Sequence, residues 1–346
     1  MTFLAATGEA VQTRDPILML RGGFIPSTVI LGPLLFPTLH LPELLSAVPG
    51  LTLVLDHVDL PQNVLLPTNV EKLVLKNTPV GVEHTLSILT VPPMTHLDIR
   101  LDIPGDDLLN RVADILRVLP FNLVLHLREA NSVYLFNDDN FGIGLASHVG
   151  DGPGPIRPIT IQLFPADFLR SRAYEASALA VHALIANLGG FVSANLRQLV
   201  IKDLPLLRVT RKTWQNLFQG IPDLAELTID DWKLDPRAFF QALGDVAPDG
   251  NSHVPELQTL RVLAHYTPEA EQALTRTLRA RYDCSAIPHI ALSFTYASDE
   301  LSDTYHFGTY LAAKLEPLTG SVLALCDAWP DHPRYLDPRR QLLMSA

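Results

Sequence analysis

The sequence predicts an α/β chain wound as an irregular repeat solenoid, with parallel strands on a concave face and helices on a convex one. Three observations predict it. A six-residue pattern, apolar-x-x-apolar-x-apolar, recurs along most of the 346 residues. It is clearest at Leu196-Arg-Gln-Leu199-Val-Ile201. It returns as Val70/Leu73/Leu75, Met94/Leu97/Ile99, Ile156/Ile159/Ile161, Leu224/Leu227/Ile229, Leu257/Leu260/Val262 and Ile287/Ile290/Leu292. Second, the intervening segments read as helices or turns, so the order from Asp106 onward is mostly helix, strand, helix, strand. Third, no glycine-rich turn follows the first strand, as a nucleotide-binding sheet would usually show. Positions four and six differ by two, so both side chains leave one face of a strand. Position one lies just before the strand and folds back into the same core. One unit cannot bury its apolar face alone, whereas stacked units share a continuous core.

The intervals between first positions carry the architecture further. Looser copies at Phe36/Leu39/Leu41, Val48/Leu51/Leu53 and Pro120/Leu123/Leu125 complete the series. From 48 the steps are 22, 24 and 26 residues, then 36, 40, 28, 33 and 30. The first three fall in the leucine-rich range, and most of the longer ones leave room for insertions or longer convex-side helices. The step from 36 to 48 is too short for a full unit, so one of those two matches is a hairpin or a false hit. Alternating βα units also describe a doubly wound sheet or a barrel. The position-one residue and the short early intervals favour an irregular leucine-rich-repeat solenoid.

Element by element, residues 1–35 form an N-terminal cap or hairpin region. Gly22 to Pro42 contains no Asp, Glu, Lys or Arg, but Pro26, Pro33, Pro37 and Pro42 interrupt it. Each interior proline costs a helix about 3 kcal/mol, so short buried strands replace a membrane span. The solenoid covers 36–298. Within it, Asp106 to Leu119 has helical spacing between Pro104-Gly105 and Pro120. Glu175 to Leu188 is a second helix, stopped by Gly189-Gly190. Asp235-Pro236 caps a helix over Arg237 to Val246, and Thr267-Pro268-Glu269 opens one running to about Arg281. Arg279 and Arg281 suit the negative end of its dipole. Insertions fall at 131–155, a turn-dense flexible loop, and at 247–255. Residues 299–346 form a C-terminal helical cap, with helices at Tyr305 to Leu315 and Val322 to Trp329, and a loosely held tail.

Composition excludes several function classes. The formal net charge is -11, against a nucleic-acid partner that would favour a basic stripe. Only Cys284 and Cys326 occur, so there is no disulfide framework, and the expected compartment is intracellular, cytoplasm or nucleus. The N-terminus lacks the charged and apolar regions of a secretory signal. No cofactor or metal is expected. Gly150-Asp-Gly-Pro-Gly-Pro155 lacks the Gly-Lys-Ser/Thr ending of a phosphate loop. Asn137-Asp-Asp-Asn140 lacks the alternation and the bidentate Glu of a calcium loop. His-Glu-x-x-His, Cys-x-x-Cys and Gly-x-Ser-x-Gly do not occur, and Glu300, Asp303 and His306 read as a polar helix face. Cys284 reads as a small buried apolar residue.

The functional surface is instead the strand face opposite the aliphatic ladders. Positions three, five and seven of the pattern point there. They place Lys72, Lys76, His96, Asp98, Arg100, His126, Gln162, Lys202, Glu226, Asp230, Arg261 and His289 on the concave side as candidate binding residues. The face drifts from basic to acidic, so it fits a protein partner of mixed charge. An ordinary solvated sheet face would show the same alternation.

The stretch Phe218-Gln-Gly-Ile-Pro-Asp-Leu-Ala-Glu-Leu-Thr-Ile-Asp-Asp-Trp232, the segment Pro255-Glu-Leu-Gln-Thr-Leu-Arg-Val262, the helix ending Thr277-Leu-Arg-Ala-Arg-Tyr-Asp283 and the strand Ile287-Pro-His-Ile-Ala-Leu292 follow one another here. This alternation resembles the leucine-rich-repeat portion of F-box-like proteins, abundant in mushroom-forming fungi, over most of residues 36–295. The resemblance implies a substrate-recognition face in an F-box-type ubiquitin-ligase adaptor, without enzymatic activity of its own. The family's N-terminal helix bundle has no counterpart here. Leu41-Pro42-Glu43-Leu44-Leu45 is followed by repeat-like strands within about ten residues, too few for its helices. Ligase recruitment would then require an F-box supplied elsewhere. The alternative reading is an α/β enzyme with a site at strand C-terminal ends, around Asp230, Asp231 and His265.

Overall fold

A computed structural model describes residues 2–4, 10–12, 28–31, 50–58, 60, 64–66, 68–91, 95–103, 128–137, 143–148, 159–165, 173–192, 194–231, 234–246, 252–282, 286–296 and 304–328. The elements, in chain order, are β1 (Thr2–Leu4), β2 (Ala10–Gln12), β3 (Thr28–Leu31), β4 (Leu51–Asp56), β5 (Val64–Leu65), β6 (Val70–Asn77), α1 (Pro79–Ile88), β7 (Leu89–Thr90) and β8 (His96–Ile103). Then come β9 (Ser132–Asn137), β10 (Ile143–His148), β11 (Ile159–Pro165), α2 (Ala173–Phe191), β12 (Gln198–Lys202), α3 (Arg211–Gly220), β13 (Glu226–Asp230) and α4 (Arg237–Leu243). β14 (Thr259–His265), α5 (Pro268–Tyr282), β15 (His289–Tyr296), α6 (Thr304–Leu315) and β16 (Ser321–Ala328) complete the series. The protein is α/β, with its strands mostly parallel. It forms two compact units, one of residues 1–126 and 138–168, the other of 127–137 and 169–346.

In the first unit the strands run β3-β4-β6-β8-β11-β10, parallel except for β10, which is antiparallel to β11. The predicted aliphatic pairs fall in register. Leu73 and Leu75 stand beside Leu97 and Ile99, which stand beside Ile159 and Ile161. On the other side Leu53 and Leu55 meet Leu73 and Leu75, so the copy read from Val48 begins two residues later than the pattern suggested. Leu53, Leu73 and Ile99 are fully buried, the condition under which burial contributes about 25 cal/mol per Å² of apolar surface. Thr78 caps α1 by accepting from the Gly81 amide at 3.2 Å.

The second unit orders its strands β9-β12-β13-β14-β15-β16, all parallel. Two unbroken ladders cross it. One is Val133–Leu199–Leu227–Leu260–Ile290–Val322, the other Leu135–Ile201–Ile229–Val262–Leu292–Ala324. The position-one residues Leu196, Leu224, Leu257 and Ile287 are buried beneath them, as expected of side chains that fold back into one core. α2 packs on α3, α3 on α4, and α4 on α5, so these helices lie side by side on the ladder face. Crossovers between adjacent parallel strands are right-handed as a rule, which places successive helices on one face. Trp214, Phe218, Phe239 and Phe240 fill the layer, with Trp214 edge-on to Phe239 at 5.2 Å.

Several sequence expectations change here. Val322 to Trp329 is not a helix: residues 321–328 form β16, paired in parallel with β15 through eight registered positions from His289↔Ser321 to Tyr296↔Ala328. The run Val322 to Cys326 is apolar at every position and so fits a helix or a strand by pattern alone; the ladder it extends settles the choice. The stretch 131–155 is not simply a loop, because β9 and β10 lie inside it. Ala130, Val133 and Leu135 make a further copy of the pattern whose first position is only alanine. α2 does not stop at Gly189-Gly190 but runs on to Phe191. Of the two, Gly189 serves packing: a Cβ on Gly220 would lie 2.6 Å from the Gly189 Cα, whereas a Cβ on Gly190 would meet nothing within 4 Å. α4 ends at Leu243, and Asp235 caps it from outside, its Oδ1 accepting from the Arg237 amide at 3.1 Å. The cap at Thr267, which accepts from the Ala270 amide at 3.0 Å, is as read. The helix read over Asp106 to Leu119, the copy at Leu123/Leu125, the loop Gly150 to Pro155, Cys284 and the tail from Pro330 lie outside the described residues. No helix among the described residues is long and apolar enough to cross a membrane.

Candidate functional site

Opposite the ladders, each unit presents rows of residues set by the same register. In the first unit one row is Thr52–Lys72–His96, the next Val54–Val74–Asp98–Thr160, the third Asp56–Lys76–Arg100–Gln162. The outer rows carry the half-exposed cations. The middle row is different. Val54, Val74 and Asp98 are all buried, so Asp98 is no freely exposed contact residue as the alternation implied. A side chain in the centre of a sheet is screened by its neighbours on both sides, which period-two patterning does not register. Asp98 Oδ2 accepts from Lys72 Nζ at 3.1 Å and from Arg100 Nη2 at 3.2 Å. Lys76 Nζ lies 3.8 Å from Asp56, whose other oxygen meets His57 Nδ1 at 2.8 Å. Structure therefore brings together Lys72, Asp98 and Arg100 as one cluster and adds Asp56 as the partner of Lys76. Both sets fall at positions the pattern could have nominated by charge alone. His126 lies outside the described residues; for Gln162 only the backbone is described, beside Arg100.

In the second unit the first row is Ser132–Gln198–Glu226–Thr259–His289–Ser321. The second is Tyr134–Val200–Thr228–Arg261–Ala291–Leu323, and the third Phe136–Lys202–Asp230–Leu263–Ser293. Tyr134 donates to Gln198 Oε1 at 3.0 Å, and Gln198 Nε2 donates to Glu226 Oε2 at 3.1 Å. This chain ties three strands together across the open face and orients Glu226. His289 Nδ1 is 2.9 Å from Ser321 Oγ at the exposed end of the row. Lys202, Asp230 and Arg261 are half-buried on neighbouring strands. Tyr134 escapes the sequence reading because it sits where a loop was expected.

The strand ends that border this face are shaped by two left-handed residues at equivalent places. His57 (φ 50°) follows β4 and Asp203 (φ 55°) follows β12. Each donates its amide to the neighbouring strand, His57 to the Lys76 carbonyl and Asp203 to the Asp230 carbonyl, both at 2.8 Å. Asp and His tolerate that conformation better than branched residues do.

Asp230, Asp231 and His265, the alternative site, lie at the strand ends with structural contacts. Asp231 is buried, and its Oδ2 accepts from the Leu206 amide at 3.0 Å, bracing the turn that leads into α3. The His265 amide donates to the Leu234 carbonyl at 2.8 Å. Beside them opens a groove of about 370 Å³, lined by Leu206, Leu207, Val209, Leu234 and the Asp235–Arg237 pair among others. Among the described residues no group of three or more His, Cys, Asp or Glu side chains is placed to hold a metal ion. The chain matches no protein-family model, and no curated protein matches its sequence.

Proposed function

We propose that this chain is a protein-recognition module of the leucine-rich-repeat solenoid kind, working inside the cell without cofactor or chemistry of its own. Its closest role in kind is the substrate-recognition part of an F-box-type ubiquitin-ligase adaptor, with the F-box supplied elsewhere. The observation that carries the reading is the in-register set of rows opposite the ladders, with α2 to α5 of the second unit side by side on the ladder face. A doubly wound enzyme would cover both faces of its sheet with helices. Half-buried polar side chains, anchored by Lys72–Asp98–Arg100 in one unit and Tyr134–Gln198–Glu226 in the other, are pre-organised at low entropic cost for a partner surface. The charges are mixed, which favours selectivity over brute affinity.

The test is a comparison of captured proteins. A chain with Lys76, His96, Lys202, Asp230 and Arg261 replaced by alanine, Lys72 and Arg100 being kept because they hold the buried Asp98, is expected to lose at least tenfold in partner recovery at unchanged melting temperature, with recovery read by quantitative mass spectrometry. Undiminished recovery would remove this face from consideration. Recovery of the small cullin adaptor alongside the partners would support the ligase role, and its absence from every preparation would count against that role alone.

A further inference from the structure

We infer that the open strand face of the first unit reads a partner's asparagine or glutamine side chain at Asp98 and Arg100. The inference rests on the recognition reading above and names the group that is recognised. The Asp98 side chain is only 4% exposed, and both of its ionic contacts, from Lys72 and from Arg100 Nη2, go to the same oxygen, Oδ2. Its Oδ1 is buried and has no hydrogen-bond partner among the described residues. Arg100 Nε is likewise buried and without a partner among the described residues. The two atoms belong to one ion pair on one row pair of the sheet, and they differ in kind: a carboxylate oxygen can only accept, a guanidinium N–H can only donate. Unsatisfied charged groups are the costly kind to leave in a protein interior, so whatever completes them is bound selectively.

The chemistry of the pair selects the occupant. A partner carboxylate would satisfy Arg100 Nε and meet Asp98 Oδ1 with like charge. A partner ammonium or guanidinium would satisfy Oδ1 and oppose the Nε–H. A carboxamide carries an N–H donor and a C=O acceptor without net charge, so it alone supplies a matching group for each of the two atoms. Lys72 and Arg100 are each 35% exposed on flexible stems, so Lys72 can swing aside to admit it. The surroundings add a second criterion. Lys72, Lys76 and Arg100 outnumber Asp56 and Asp98, so the residues flanking the carboxamide should be acidic.

Random peptides displayed on phage, selected on the full chain, test this. Every binder is rescreened on Asp98→Asn and Arg100→Lys chains, and on Lys202→Ala/Asp230→Ala/Arg261→Ala. Arg100→Lys keeps the charge and removes the Nε donor, so it serves even where Asp98→Asn fails to fold. Binders with an indispensable Asn or Gln, weakened at least tenfold by Arg100→Lys and tenfold again when that residue becomes Asp or Glu, are the expected result. Binders that need Arg100 but carry an acidic, basic or hydroxyl residue at the sensitive position overturn the carboxamide. Binders that respond only to the second-unit triple leave protein recognition standing and overturn this inference, which is also the outcome if hydration alone satisfies both atoms. Binders indifferent to every substitution overturn both.

Discussion

Arg281 is among the largest fully buried side chains of the protein. Its Nη2 donates to the Val254 carbonyl at 2.7 Å, and its Nη1 to Ser252 Oγ at 2.8 Å and, more weakly, to the Leu243 carbonyl at 3.4 Å. The guanidinium thus fastens the end of α4 and the segment before β14 to the last turn of α5. Its position near a helix C-terminus made it legible as a dipole partner; that it is buried and forked between two segments is a tertiary fact no local pattern carries. Arg281→Met should cost about 2–4 kcal/mol, read as a shift in urea midpoint, because three acceptors lose their donor. A loss under about 1 kcal/mol would mean that other donors replace it. Asp245 offers a pH test. Burial alone would raise its pKa; the hydrogen bonds from Arg211 and Gln215, with the guanidinium charge, outweigh that and hold it below the ordinary 3.8. A depressed folded value means the stabilisation is full above the unfolded pKa and is lost as pH falls through the folded one. Asp245→Asn should therefore lower stability by about 0.5–1 kcal/mol at pH 7, with half-exposed Arg211 limiting the size. The difference in melting temperature should close as the pH drops below 3.8. A gap that stays constant down to pH 2 would mean that shape, not charge, is what the variant loses.

At the scale of elements, the aliphatic ladders were the most legible feature. Seven copies of the pattern pair in the register that positions four and six imply, three within the first unit and four within the second. β9 and β16 were not legible, since Ala130, Thr319 and Ala324 stand where the pattern looks for long aliphatic side chains. Strand identity there is imposed by the neighbouring strand. Gly189 and Gly220 show the same limit for helices. A glycine pair near a helix end reads as a stop, yet here it lets α2 and α3 approach until backbone meets backbone. Helix propensity alone predicts that Gly220→Ala gains up to about 1 kcal/mol. The 2.6 Å clash with Gly189 predicts the opposite sign, a loss of about 1–3 kcal/mol in chemical denaturation. A stabilised variant would show that the helices separate at little cost.

For the molecule as a whole, the sequence conveyed the α/β class and the side of the strands that faces the core, but not the division into two units. Periodicity reports each strand's neighbours and is silent about where compactness breaks. Of the candidate face, the outer rows were legible from alternation, while the burial of Asp98 and the Tyr134–Gln198–Glu226 chain required the strands to be set side by side. Within the second unit, β12, β13 and β14 have a strand on both sides, and β16 pairs only with β15 among the described strands. Amide hydrogen exchange should therefore be slowest in β13 and its neighbours and at least tenfold faster in β16, because opening an edge disturbs one row of bonds instead of two. Equal protection would show that the edge is covered.

The route of the backbone has a practical corollary. Residues 127–137 belong with 169–346, yet 138–168 return to the other body, so neither body is one uninterrupted stretch of chain. An expression fragment beginning at 169 would lack β9, stripping β12 of the carbonyl of Asn131 that its Gln198 amide uses at 2.9 Å and of the Tyr134 hydroxyl. Such a fragment would display a raw, aliphatic border inviting self-association. Supplying the missing eleven residues in trans, as a synthetic peptide, should restore its solubility.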